Sequence, residues 1–167
     1  MQIRLNQTLE DGIFDWARLT LPDEVEIIWD RPGEDRPAKP YLVLNFLTGP
    51  VKVDGSETKY KQLDVWTYTW RKVITLSVTI VADENYMTYM TQLLNSLDCE
   101  SRYIELQKVG FACWGYSGPW DVSELIKSQY EFRVNANIKL SYGEDIDYTD
   151  GEIHSVNLNS QIIDINA

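Results

Sequence analysis

The run from Val65 to Val81, VWTYTWRKVITLSVTIV, limits the folds open to this chain more than any other stretch. It is dominated by β-branched and aromatic residues, and Ile74, Leu76, Val78 and Ile80 alternate with Thr75, Ser77 and Thr79. Successive side chains of a strand point to opposite faces, so the pattern predicts a long strand with its apolar face on a core. A second run, Tyr130 to Leu140, alternates just as regularly: Tyr130, Phe132, Val134, Ala136, Ile138 and Leu140 share one side, and Glu131, Arg133, Asn135, Asn137 and Lys139 the other. One of its faces is expected to be buried and the other wet or at an interface.

A shorter pair of strands is expected upstream. Glu24 to Trp29 reads as an edge element, and Tyr41 to Leu47 as a more buried strand. Pro32, Pro37 and Pro40 lie between them, each fixing φ and removing a backbone donor, so this crossing is neither helix nor central sheet and lies extended over a surface. Two helices are predicted. The first spans about residues 8–19, with Thr8 as N-cap, Glu10 and Asp11 in its first turn, and Leu9, Ile13, Trp16 and Ala17 at helical spacing before Pro22. The second is opened by Asp83 and Glu84 over about 84–97, with Tyr86, Met90, Leu93, Leu94 and Leu97 on its buried face.

The remaining segments read as connections and short strands. Gly49, Pro50, Asp54, Gly55 and Ser56 mark residues 48–63 as a long exposed hairpin loop. A strand pair is expected at Arg102 to Gln107 and Phe111 to Trp114, joined at Lys108, Val109 and Gly110. After the turn Ser117-Gly118-Pro119, the residues WDVSELIKSQ read as an irregular or short helical connection. Residues 153–167 read as an extended C-terminal strand or arm. The fold class is therefore α+β: one domain over residues 1–167, with a mixed, mainly antiparallel sheet covered by two helices.

Composition narrows the function. With 44% apolar residues in 167, the chain can bury a core without metal or disulfide help. No apolar run approaches the roughly 20 residues that span a bilayer, and MQIRLNQTLED lacks a signal-peptide core, so use in a cytosol-like compartment without a membrane is expected. Cys99 and Cys113 have no metal-ligand spacing and read as reduced, mostly buried small hydrophobes. The 26 acids against 15 bases give a formal net charge of -11, which argues against ordinary nucleic-acid binding. Glu144, Asp145, Asp147, Asp150 and Glu152 concentrate that charge, either as a solvated acidic hairpin or as the lining of a passage through which DNA slides without sticking.

Catalytic constellations are absent from the sequence pattern. His154 is the only histidine and sits in a strand-like context, and no phosphate-binding loop, dinucleotide fingerprint or zinc-protease motif occurs. The Asp145 and Asp147 pair lacks the ligand spacing of a calcium loop, and nothing selects two carboxylates for glycoside hydrolysis. No cofactor, metal or catalytic residue is assigned. Trp66, Tyr68, Trp70, Trp114 and Trp120 instead suit association, since Trp and Tyr are enriched at interface hot spots. In the 48–63 segment, Val53, Asp54, Gly55, Lys59 and Tyr60 are candidates for contact with a neighbouring subunit or other partner.

The order of these elements, with the pieces WDRP, PYLVL and EIHSV between about Trp29 and Leu158, resembles the neck or tail-terminator (tail-completion) proteins of tailed bacteriophages. The resemblance implies a virion protein with no active site, assembled in the host cytoplasm as a homohexameric ring. That ring would cap the tail tube, end its polymerisation and join it to the head connector, with a sheath as a further neighbour. Genomic DNA would pass through it without specific binding, past Glu144, Asp145, Asp147 and Asp150 as candidate channel-facing acids. Two alternatives stand beside this one: another phage tube or head-completion protein, and a small hydrolase of unrecognised family.

Overall fold

The alternating run forms β3 (Val65–Val81), the middle strand of a five-stranded sheet. The computed structural model describes residues 7–33, 35–62, 65–126, 129–149, 155–158 and 161–164. On its two sides β3 pairs antiparallel with β2 (Tyr41–Gln62) and β7 (Arg133–Thr149). β1 (Glu26–Trp29) adds to β2 in parallel at one edge, and β4 (Ala112–Asp121) adds to β7 in antiparallel fashion at the other. Two small hairpins complete the described strands: β5 (Glu124–Ile126) with β6 (Gln129–Glu131), and β8 (Ser155–Leu158) with β9 (Gln161–Asp164).

Three helices cover one face of the sheet. α1 (Gln7–Thr20) contributes Ile13, Trp16 and Ala17 to the core, α2 (Tyr86–Asn95) contributes Met90, Leu93 and Leu94, and α3 (Glu100–Lys108) contributes Leu106. They pack on Leu42, Leu44, Ile74, Leu76, Val78, Ile80, Val134, Ala136, Ile138 and Leu140, the apolar set that the alternation predicts. The reverse face carries short polar groups. There the Asn135 side-chain amide donates to the hydroxyls of Ser77 at 2.9 Å and Thr79 at 2.8 Å. An antiparallel sheet tolerates this asymmetry, one face dry and the other wet.

Parallel pairing of β1 with β2 needs a crossover rather than a tight turn. The proline-spaced crossing supplies one without a helix and passes α1, where the Arg31 guanidinium lies 3.6 Å from the buried carboxylate of Glu10. A second lock joins α1 to the end of α2. The Trp16 indole N–H, fully buried, donates to the Ser96 hydroxyl at 2.9 Å, and that hydroxyl donates to the Leu93 carbonyl at 2.6 Å. Burial of a large indole is favourable only when its N–H finds such an acceptor.

Several expectations are corrected. Residues 102–107 are not a strand but lie within α3, so the sheet has a three-helix cover. Ile104 and Leu106 imitate strand alternation, yet Ile104 is exposed while Leu106 is buried with Tyr103 packed beside it, the spacing of a helix face. Residues 48–62 are not loop but the second half of β2, and 143–149 are not a hairpin but the second half of β7. The run from Tyr130 to Leu140 breaks at Phe132, which separates β6 from β7. The segment after Pro119 continues β4 and then forms the β5–β6 hairpin. α1 begins one residue before Thr8. α2 begins at Tyr86, after Asn85 in the left-handed region at φ 59, a conformation that asparagine tolerates. Cys99 is exposed rather than buried, with Ser101 lowering its thiol pKa, and Cys113 is half-buried, which raises its own. His154 lies outside the described residues.

α1 approaches the turn after α3 closely enough to require glycine. A Cβ built on Gly12 would stand 2.4 Å from Val109 Cγ2. Gly12→Ala is therefore expected to lower stability by about 1–3 kcal/mol through overpacking. Val109→Ala in the same chain should recover part of that loss, because the two sites share one contact. Urea midpoints of the two single variants and the double variant check this, and strictly additive losses would contradict the contact.

Candidate functional site

Pairing beyond the helix-covered base turns β2, β3 and β7 into a three-stranded arm. β1 pairs with β2 only as far as Leu44, and β4 pairs with β7 only as far as Ser141. Past those points β3 still pairs with β2 as far as Val65↔Gln62 and with β7 as far as Val65↔Thr149. Among the described pairings the outer edges of β2 and β7 are therefore free along the arm.

The face of the arm continuous with the core carries an aromatic and lysine stripe. Trp66, Tyr68 and Trp70 follow Ile74 by strict alternation, and the lysines of β2 lie over them. Lys52 Nζ sits 4.0 Å from the Trp70 ring centroid, and Lys59 Nζ sits 4.1 Å from that of Trp66 and 5.1 Å from that of Tyr68. Each such contact contributes about 0.5–1 kcal/mol where water reaches it. Lys72 pairs with Glu144 on the same face. Below them Tyr142 meets Phe111 edge-on at 5.6 Å and closes the core.

The opposite face of the arm carries Arg71, Thr69 and Asp145. The Thr69 hydroxyl donates to the Asp145 carboxylate, and the Arg71 guanidinium lies 6.0 Å from the ring of Trp114. Where β4 ends and β7 continues, Thr69, Arg71, Cys113, Trp114, Tyr142 and Gly143 line an open cleft of about 470 Å³. Gly143 suits this step because a Cβ there would come within 3.2 Å of Thr69 Cγ2.

These positions divide the sequence-predicted sites. Glu144 and Asp145 are consecutive strand residues and face opposite ways, so no single wall holds both. Asp147 registers with Thr67, and Asp150 lies outside the described residues. Val53, Asp54, Gly55, Lys59 and Tyr60 all fall on β2 in the arm. The first three belong to a bulge, since five steps along β2 from Lys52 to Glu57 match two along β3 from Lys72 to Trp70. Trp114 and Trp120 on β4 are 49% and 45% exposed, whereas Trp66, Tyr68 and Trp70 are half-buried in the stripe. Sequence reading missed Leu47 and Val51, which bulges turn outward on the β2 edge at 49% and 61% exposure. Among the described residues no three His, Cys, Asp or Glu side chains converge as a metal site requires. Among the described residues no helix is long and apolar enough to cross a membrane.

The arm thus extends past the helix-clad base, and Trp114 and Trp120 stand exposed at the β4 edge of the sheet. The family model of the phage neck terminator protein matches residues 7–166. The chain belongs to that family. As a neck terminator it is a structural phage protein that works among other tail and neck proteins, in agreement with the resemblance read from its element order. A search of curated proteins finds no match.

The base of the arm has a titratable marker. Burial, with a smaller contribution from the Glu144 carboxylate, pushes the Tyr142 hydroxyl up to about 12. Below pH 10, the ordinary tyrosine value, Tyr142 is neutral whether folded or unfolded, and its contribution to stability is intact. Between about 10 and about 12 the unfolded chain releases the proton and the folded chain keeps it, so stability falls as pH rises through that window. Tyr142→Phe is expected to flatten this fall. Urea midpoints measured across that range check it, and equal slopes for the two proteins would contradict the burial.

Proposed function

We propose that this neck terminator forms a closed homohexameric ring that caps the tail tube, ends its polymerisation, joins it to the head connector and lets the genome pass. The observation that carries the reading is the arm, a sheet extension whose two dissimilar outer edges pair with no further strand among the described residues. Heterologous contacts between two different surfaces generate a ring when the rotation closes. The subunit has no catalytic role in this reading, and it assembles in the host cytoplasm. Its partners are further copies of itself, the tube protein with any sheath around it, and the connector.

The helix-free face faces the channel. Helices turned inward would fill the passage, whereas the Ser, Thr and Asn side chains of this face are short; its basic residues are Arg71, Lys139 and Arg133, the last paired with Glu124 and Glu131. Asp145 belongs to that face, with Asp147 and Asp150 as further candidates, and repulsion screened over about 8 Å centres the polyanion without trapping it. The distal hairpin with Val53, Asp54, Gly55, Lys59 and Tyr60 reaches the tube or a neighbouring subunit.

Native mass spectrometry of the full chain, alone and mixed with tail tubes, is expected to give six copies, and class averages of the neck a six-fold ring. A chain that stays monomeric with tubes present, with no ring density at the neck, would overturn the reading. Deleting Asp54, Gly55 and Ser56 removes the bulge while aligning β2 with β3, so folding should survive and head–tail joining should drop at least tenfold. Unchanged infectious titre with the deletion would remove the hairpin from the contact.

A further inference from the structure

The two free edges of the arm raise a question of their own. An unpaired strand edge is a template for another strand, and soluble proteins blunt such edges by shortness, bulges, prolines or inward charges. Here β2 is bulged near the base, at Leu47, at 49–50 and at 53–56, but from Glu57 to Gln62 it pairs with β3 without a shift. β7 from Tyr142 to Thr149 has no shift at all against β3. Both edges therefore hold straight stretches that pair with no strand on their outer side among the described residues, β8 lying near β7 without pairing with it.

Direction and charge select the partner. β2 and β7 both run antiparallel to β3, so both run from base to tip. Copies related by rotation about an axis along the arm present β2 of one beside β7 of the next, pointing the same way, and the two can pair in parallel without inversion. In sequence the β2 edge carries Lys52, Glu57, Lys59 and Lys61, net positive, and the β7 edge carries Glu144 on the face of Lys52 and Lys59 and Asp145 on the other. Opposite charges across a strand pair are favourable and like charges are not.

We infer that the joint between ring subunits is a parallel β-strand addition of the distal β2 edge of one copy to the β7 edge of the next, so that six arms close into one continuous barrel. The inference rests on the ring proposed above and supplies its interface. Six three-stranded arms make an eighteen-stranded wall, which at a spacing of about 4.8 Å and a tilt of about 40° closes at a backbone diameter of about 36 Å. A side-chain layer of about 5 Å on the inner wall leaves an opening of about 26 Å, room for a DNA duplex. The cleft where β4 stops receives the beginning of the incoming distal stretch of β2, with Trp114 and Arg71 on its rim. At the base β4 and β1 of adjacent copies stand between the paired strands, so the ring widens there into a funnel. Asp145 then lines the barrel, while Glu144 and the aromatic and lysine stripe face outward.

Hydrogen exchange of the full chain, as dilute monomer and as ring, tests the joint without assuming a register. Amides in both 57–62 and 142–149 are expected to slow at least tenfold in the ring. The paired variant Lys52→Glu with Lys59→Glu should raise the concentration needed for ring formation at least tenfold, and adding Glu144→Lys should reverse part of that. A six-fold ring by native mass spectrometry with unchanged exchange in both segments overturns the joint and leaves the ring standing. No ring, even on tail tubes, overturns both. A ring with protected edges but no effect of charge reversal rejects the charge matching, and with it the choice of β2 against β7.

Discussion

All 17 residues of β3 pair with 17 of β7 in a single unbroken register, and the rest of the molecule hangs on that ladder. Because the alternation never slips, Ile74, Leu76, Val78 and Ile80 stay in line with Val134, Ala136, Ile138 and Leu140 and form the floor on which the helices sit. A shift by one residue would carry the whole apolar set to the other face. The same ladder runs on past the last helix contact, so core and arm are one rigid sheet. Displacement at the tip is then transmitted to the base by hydrogen-bonded strands rather than through a hinge.

What was legible in the sequence was what alternates or turns without interruption. β3 was delimited to the residue, α1 and α2 to within a few, and the edge strand before the proline-spaced crossing was read as such, though not its parallel direction. β2 beyond Leu47 was hidden because extra residues enter it at three places, and each insertion resets the phase of alternation. Gly49, Pro50, Asp54, Gly55 and Ser56 at those places look like loop chemistry, and they are bulge chemistry. β7 beyond Leu140 was hidden differently. Its acids Glu144 and Asp145 stand on opposite faces, so no apolar–polar alternation is left to read there. α3 was lost to one exposed residue, Ile104. The arm as a site could not be found from sequence, since its free edges exist only through where β1 and β4 stop.

Base and arm are stabilised by different means. The base has a three-helix cover and a buried cluster in which Trp16, Phe111, Ile138 and Leu106 are inaccessible to solvent. The arm has strand pairing, the lysine–aromatic contacts and the Lys72–Glu144 pair, each contributing on the order of 1 kcal/mol or less where exposed. Such a structure holds its shape through many weak terms, and among the described residues no strand pairs with the outer edges of its arm. A monomer with two edges of this kind has either to aggregate or to assemble.

Charge decides which of the two happens. Two β7 edges brought together would set Glu144 and Asp145 of one copy against the same acids of another, and a chain of net charge -11 already resists close approach of copies. Two β2 edges would bring together Lys52, Lys59 and Lys61 of both copies against a single Glu57 in each, and meet across bulges. Both are isologous contacts, which would end in a closed dimer, and both are penalised. The β2-to-β7 contact brings unlike charges together and is heterologous, so it propagates around an axis until it closes. Bulges that disorder β2 near the base while leaving its distal stretch regular confine that pairing to the arm. The uneven chemistry that concealed this half of β2 in the sequence is thus what makes its edge selective.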